Sequence, residues 1–386
     1  SMADSPSFPP GQQFPFQRLH RWNCTSVLMG CTLGAWLSIL WERLGDVAWR
    51  MYGHRVIVLT LSACFNSLLS LVESAVYGRQ VAAQPIKDDP VMILGHPRTG
   101  TTLVFNLLGI DTASYVFPTT YLTTFPFTAL TLRPVKGLVS SALPATRPMD
   151  NMELGLDMPQ EDELGTTQLS GGVSLVMPIV FMTRCKEYFP YFTFEGTPPA
   201  HFERWRKGFE LLLRKAALLA GGQGSRRMLL KSPMHTARVR LFGNMFPRAS
   251  FIYIHRHPYE VFQSAANMAE KTYSLTYLDD PTNAQIQEFI LSQFELLLNE
   301  YLAARDAVKD RLLEIRYEDF SKDPFEGVRG IYAHFGWPMP MRSELQAYCS
   351  TLRAYQKNEF CQLSVGLKGL VYARWRKAFD VFGYSP

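Results

Sequence analysis

The chain has 386 residues, enough for one large domain or two ordinary ones, and its composition of 47% hydrophobic, 13% aromatic and 19% charged residues excludes global disorder. A formal charge of +5, from 39 Lys plus Arg against 34 Asp plus Glu, comes without a long positive block. That balance suits an anionic small ligand and gives no footprint for nucleic acid. The six cysteines include no pair at CxxC spacing, so free buried thiols are expected rather than a disulfide scaffold or a zinc site.

Residues 1–19 are polar and proline-rich, read as a flexible segment, and Ser1 ahead of Met2 reads as an expression remnant. A helical extension is expected over 20–85. Within it, residues 24–41 and 56–72 carry no charged side chain, and each sits at the short edge of a membrane-spanning length. Buried or surface-inserting helices are the favoured reading, with a membrane-surface contact through 24–72 as a consequence, and helices packed across a homo-oligomer interface are a separate, less favoured one. A transmembrane hairpin is less favoured, which leaves localisation between the cytoplasm and the membrane surface.

The segment PIKDDP at 85–90 leads into the apolar run VMILG, expected to be a strand, and a helix is expected from near Gly100. Strand, turn and helix in that order suggest an α/β domain with its ligand at the carboxyl end of a parallel strand. Aromatic and proline-rich stretches within 110–220 read as helical insertions, forming an acceptor pocket or packing a core of their own, and 201–221 has the period of an amphipathic helix. RRMLLKSPMH, RASFIYIH and RLLEIRYEDFSKDP each read as a strand running into a polar turn, and the later part of 283–305 as a long helix. The recurring order supports one parallel sheet over 86–386, flanked by helices.

Gly95, four intervening residues, Gly100, Thr101 and Thr102 almost write a nucleotide triphosphatase loop. Thr101 stands where that loop has its lysine, and the positive side chain comes earlier, at Arg98. Backbone donors of Thr99, Gly100, Thr101 and Thr102 at a helix start suit a phosphate, although a purely structural turn explains the same residues. After the strand FIYIH, Arg256 and Ser264 are spaced to cross a turn and one helical turn and hold one phosphate together, unless Arg256 merely salt-bridges a helix end.

In order and spacing, PRTGTT, RHPYEVFQS and RYEDFSKDP resemble the sulfotransferases that use 3'-phosphoadenosine-5'-phosphosulfate (PAPS), over roughly residues 90–386. The arginine in the first loop resembles a microbial and algal branch of that family. The resemblance implies the P-loop-like sulfotransferase fold, with PAPS as sulfuryl donor, PAP as product and no required metal. It assigns the first loop to the 5'-phosphosulfate and Arg98 to the transferring group and its leaving phosphate. Arg256 and Ser264 fall to the 3'-phosphate, and Tyr317 to the adenine side unless it packs the strand end. Leu103 departs from the aromatic residue many relatives have there, and the near-terminal RKG loop is missing in plain form, Lys357 and Lys368 lying near its expected place.

Relatives often draw their general base from the interval holding DMPQEDELGTT. Glu161 is the first candidate, Glu163 the second, with Asp162 and Asp157 behind them, and His235 in LKSPMH is the rival. Lys231 suits an anionic transition state, Ser232 a nucleotide contact, and His96 and His255 read as scaffolding. The acceptor is expected to be a hydroxyl, less favourably an amine, on a small or lipid-like molecule. An ATP-dependent small-molecule kinase and a noncatalytic nucleotide-binding or membrane scaffold are the competing readings.

Overall fold

A computed structural model describes residues 6–18, 20, 22–140, 155–222, 224, 226–352 and 362–386. The apolar run Val91–Leu94 forms β1, buried along its whole length. Tyr115–Val116 forms β2, Arg227–Lys231 β3, Ser250–His255 β4 and Leu312–Arg316 β5. They make one parallel sheet in the order β2-β3-β1-β4-β5. Parallel sheets are covered on both faces, which is why β1 and β4 read as unbroken apolar runs. β2, only two residues long, was not anticipated: its strand character comes from pairing Tyr115 with Arg227 and Val116 with Met228.

The chain steps out to β2, returns to β3, then crosses β1 to reach β4. Crossings of this kind are where α/β sheets hold ligands, outside the carboxyl ends of the strands. The register pairs Ile93 with Lys231, Leu94 with Tyr253 and His255 with Arg316. Gly95, Ser232, Arg256 and Tyr317 therefore leave the sheet at one edge.

The extension is built onto this body. Its first apolar segment yields only α1 (Leu33–Arg43), 11 residues and about 16 Å long, too short for a hydrocarbon core of about 30 Å. The second becomes α2 (Trp49–Ala82), a 34-residue helix that meets a membrane-crossing criterion by length and composition alone. One face of α2 is buried through Tyr52, Arg55, Val56, Leu59, Ala63 and Asn66. Leu28, Trp36, Tyr52 and Val56 share a core cluster with Phe262, Phe289, Ile290, Val371 and Trp375, residues far along the chain. Near the amino end, Phe14 N donates to Gln287 Oε1 at 2.7 Å. The helices completing the site are α3 (Thr101–Gly109), α4 (Asp162–Leu169), α5 (Pro199–Leu219), α6 (Pro258–Thr272), α7 (Asn283–Ala304) and α8 (Val365–Phe382).

Arg55 ties the extension to the body. Its guanidinium is buried and donates to four carbonyls: Asn23 O at 2.8 Å, His20 O at 2.6 Å, Tyr277 O at 2.8 Å and Ser274 O at 2.9 Å. Arg55→Met keeps most of the volume and strands those acceptors, a loss of about 3 kcal/mol. Thermal unfolding is expected to show a midpoint several degrees below wild type; an unchanged midpoint contradicts the tie.

Candidate active site

The turn between β1 and α3 is shaped by three residues in left-handed backbone. Gly95 has φ +143° and Gly100 φ +104°. A Cβ on Gly95 would meet Ile254 O at 2.5 Å, and one on Gly100 would meet Tyr317 Cδ2 at 2.4 Å. Both positions require glycine on conformation and space together. Arg98, at φ +76°, is one of two described non-glycine residues with positive φ, a strain of about 1–2 kcal/mol that turns its side chain out of the loop.

Hydrogen bonds hold that turn. Gly95 N donates to Thr236 Oγ1 at 2.8 Å, and Thr99 Oγ1 donates to His96 O at 2.8 Å. Burial pushes the His96 imidazole down to about 3, so it packs as a neutral ring against Phe294, consistent with scaffolding. Gly100 is the N-cap of α3, which leaves the first-turn amides of Thr101 and Thr102 at a helix amino terminus.

The second segment meets the first here. Arg98 Nε donates to Ser264 Oγ at 2.9 Å, and Ser264 is buried on α6. Arg256 Nη1 donates to Arg98 O at 3.4 Å, its other nitrogen bonds Glu260 Oε2 at 2.8 Å, and its guanidinium lies over the Tyr317 ring at 4.5 Å. The structure thus gathers Arg98, Thr99, Gly100, Thr101, Thr102, Arg256, Ser264 and Tyr317 on one patch. Arg256 thus makes the helix-end ion pair that the alternative reading expected, and reaches the first loop through the Arg98 carbonyl. Lys368 reaches toward α6, its Nζ 5.9 Å from the Tyr259 ring centroid, and Lys357 falls outside the described residues.

Facing the loop is Glu161. Lys231, at the end of β3 with a side chain 2% exposed, donates to Glu161 Oε1 at 2.7 Å and to Thr102 Oγ1 at 3.3 Å. One ammonium therefore joins the Gly95–Thr102 turn to the candidate base. Glu161 is the N-cap of α4, 28% exposed at its side chain. Successive helical residues turn by about 100°, and the next two carboxylates point into the protein. Asp162 Oδ2 lies 2.5 Å from His235 Nε2 with both side chains buried. Glu163 takes Arg238 Nη1 at 2.8 Å, Trp205 Nε1 at 3.1 Å and Ser174 Oγ at 2.8 Å. Burial alone would raise the Glu163 carboxyl, but the adjoining Arg238 guanidinium overrides it and holds it below the ordinary value. Asp157, by contrast, pairs with Lys136 near the surface.

Asp162, Glu163 and His235 bring potential ligand atoms within 4.8 Å of one another. Their bonding does not fit a divalent cation: both Glu163 oxygens already face the Arg238 guanidinium, and His235 Nε2 is taken by Asp162. The trio, with Arg238, forms a buried hydrogen-bonded layer next to Glu161. Tyr273, buried, has Arg98 and Glu161 as its nearest electrostatic neighbours; burial pushes its phenol up. Sequence reasoning passed over Tyr273, Thr236 and Arg238. Thr236 and Arg238 directly follow LKSPMH, so a polar run after a strand end was their available signal; Tyr273 had none.

A model of the sulfotransferase family matches residues 90–341. The chain belongs to this family. Among curated relatives, the omega-hydroxy-beta-dihydromenaquinone-9 sulfotransferases Stf3 of Mycobacterium bovis and Mycobacterium tuberculosis are 30% identical over 377 residues, covering 95% of this chain and 94% of theirs. Sulfotransferase STF1 of Mycobacterium tuberculosis H37Rv has a similar fold, with TM-score 0.64 and 19% identity, over 89% of this chain and 91% of that one. STF9 of Mycobacterium avium gives TM-score 0.60 at 19% identity, over 92% and 97%. PAPS-dependent sulfuryl transfer to a hydroxyl-bearing acceptor is the chemistry of this sulfotransferase family.

Glu163→Gln leaves the Arg238 charge buried without its counterion, a cost of about 3–5 kcal/mol at neutral pH. Because the folded pKa of Glu163 is depressed, its contribution is present above the ordinary value of 4.5 and is lost as pH falls through the folded one. Denaturant unfolding of both proteins across pH is expected to show a large gap at pH 7 that narrows below about pH 4. A gap independent of pH contradicts the pairing.

Proposed function

We propose that this sulfotransferase moves the sulfuryl group of PAPS onto the hydroxyl of a lipid-like acceptor, with Glu161 as general base. The carrying observation is the double contact of Lys231 with Thr102 and Glu161, which sets the donor loop and the base on either side of one cation. In the reaction, the acceptor oxygen attacks sulfur and its proton passes to the Glu161 carboxylate. The bond between sulfur and the 5'-phosphate oxygen breaks, leaving its electron pair on PAP. Arg98, Lys231 and the α3 amides offset that charge, and positioning with electrostatic stabilisation supplies most of the acceleration. Thr99, Gly100, Thr101 and Thr102 cradle the 5' side, Arg256 and Ser264 take the 3'-phosphate, and Tyr317 borders the adenine. Arg98 supports placing the chain in the arginine-loop branch.

Within the proposed catalytic unit of 86–386, the insertions of 110–220 deliver Glu161 and border the acceptor side. Many of their aromatics are core residues: Tyr115, Tyr121, Phe181 and Phe192 are at most 2% exposed. They fix the wall rather than line an opening. A lipid-like alcohol is favoured by the Stf3 relatives, named for an omega-hydroxylated menaquinone and matched along nearly the whole chain.

The test uses sulfur-labelled PAPS and a long-chain primary alcohol in detergent. Glu161→Gln is expected to lower kcat by about 10²–10⁴ while PAP affinity stays within about twofold, as for loss of a general base. Full turnover contradicts the assignment. Arg256→Ala is expected to weaken PAP at least about tenfold, since charge-assisted contacts contribute about 1.5–3 kcal/mol. An unchanged Kd excludes its contact with the nucleotide.

A further inference from the structure

The side of α2 facing away from the protein is apolar. Ile57, Leu61, Phe65, Leu68, Leu71 and Val76 follow helical spacing and are each 56–70% exposed. Arg55 and Glu73, the charged side chains nearest this stretch, point the other way and are buried. Glu73 pairs there with Lys215 at 2.5 Å and accepts from Leu130 N at 2.8 Å and Thr131 N at 2.9 Å. From Ile57 to Val76 the exposed face thus carries no charged side chain over about 28 Å. Trp49 and Trp41 are exposed at its amino end, 50% and 84%.

Cations rim the carboxyl half. Arg79 is exposed on α2 itself, Arg133 follows the segment held by Glu73, and Lys207 shares a groove of about 830 Å³ with Ser67, Leu71 and Ser74 of α2. None of these three makes a salt bridge among the described residues, whereas the nearby acids Glu203 and Glu210 are both paired with Arg206. An apolar ridge flanked by cations and exposed tryptophans matches an anionic bilayer surface in both its parts. A second copy would cover the ridge, but α2 presents no exposed carboxylate to meet the rim.

We propose that α2 seats the protein in the plane of an anionic membrane surface, its outer face in the boundary between headgroups and acyl chains. The seat lies close to the chemistry. A Cβ on Gly30 would fall 2.1 Å from Thr124 O and 2.7 Å from Gln168 Oε1, and one on Gly172 would meet Ile39 at 2.8 Å, so the extension rests on the carboxyl end of α4 and the turn after it. The opposite end of α4 presents Glu161. The docking surface stands whatever the acceptor is.

The test is co-sedimentation of the full chain with vesicles of phosphatidylcholine alone or mixed with phosphatidylglycerol. Wild type is expected to sediment with the anionic vesicles, less so as salt rises. Leu61→Glu with Leu68→Glu is expected to lower partitioning by about tenfold or more, and Arg79→Glu with Lys207→Glu to abolish the preference for anionic lipid. PAP affinity and the unfolding midpoint, unchanged in both variants, show that fold and donor site persist, so a failed docking is separable from a failed sulfotransferase reading. Wild type that sediments with neither vesicle overturns the proposal, as does undiminished binding by the leucine variant. So does a wild-type dimer in sedimentation equilibrium that the leucine variant dissociates, because the face is then an interface between copies.

Discussion

A buried ammonium at the end of a central strand is the constraint from which the site follows. Lys231 is almost fully enclosed, and a charge in that position is tolerated only with partners on several sides. Those partners are the hydroxyl that opens α3 and the carboxylate that opens α4. Both helices are thereby fixed to β3 by one side chain, and the space between them is where the proposed reaction would bring a phosphosulfate and an acceptor hydroxyl together. Behind Glu161, the Asp162–His235 and Glu163–Arg238 pairs keep the amino end of α4 from turning, so the exposed carboxylate keeps its direction without carrying the fold.

β1, β3 and β4 were legible because a strand covered on both faces is largely apolar, as VMIL and FIYI are, and β5, LLEIR at the sheet edge, through the polar turn that follows it. β2 was not, since two residues carry no period of their own. The loop was legible through its glycines, and the spacing of Arg256 and Ser264 suggested that those two share a site, whereas the contact of Ser264 with Arg98 was not foreseen. The order of the acidic residues was harder. Glu161 and Glu163 are chemically alike in the sequence, and what separates them is Arg238, 75 positions from Glu163. A long-range ion pair of that kind leaves no local mark. Tyr317 packs on the Gly100 backbone and under Arg256, joining the two phosphate segments through contacts no motif spells out.

The extension shows the opposite failure. Residues 56–72 are uncharged throughout and mostly apolar, so periodicity could not tell a buried helix from a surface one. The structure resolves this by dividing the helix lengthwise. Arg55, Asn66 and Glu73 turn inward to bond backbone and body, while leucines and a phenylalanine turn outward. Arg55, Asn66 and Glu73 lie inside among apolar residues while the outer face is largely apolar, a departure from the usual pattern of a helix on a water-soluble surface, and the inward polar groups bolt α2 to the body.

The central claim is that the loop from Gly95 to Thr102, with Arg256 and Ser264, is built for a 3',5'-bisphosphorylated adenosine rather than a triphosphate. Calorimetric titration with PAP, set against ATP with and without magnesium, tests it most directly. PAP is expected to bind far more tightly than ATP, with an affinity that magnesium does not change. Binding of magnesium-ATP with no heat from PAP would contradict it.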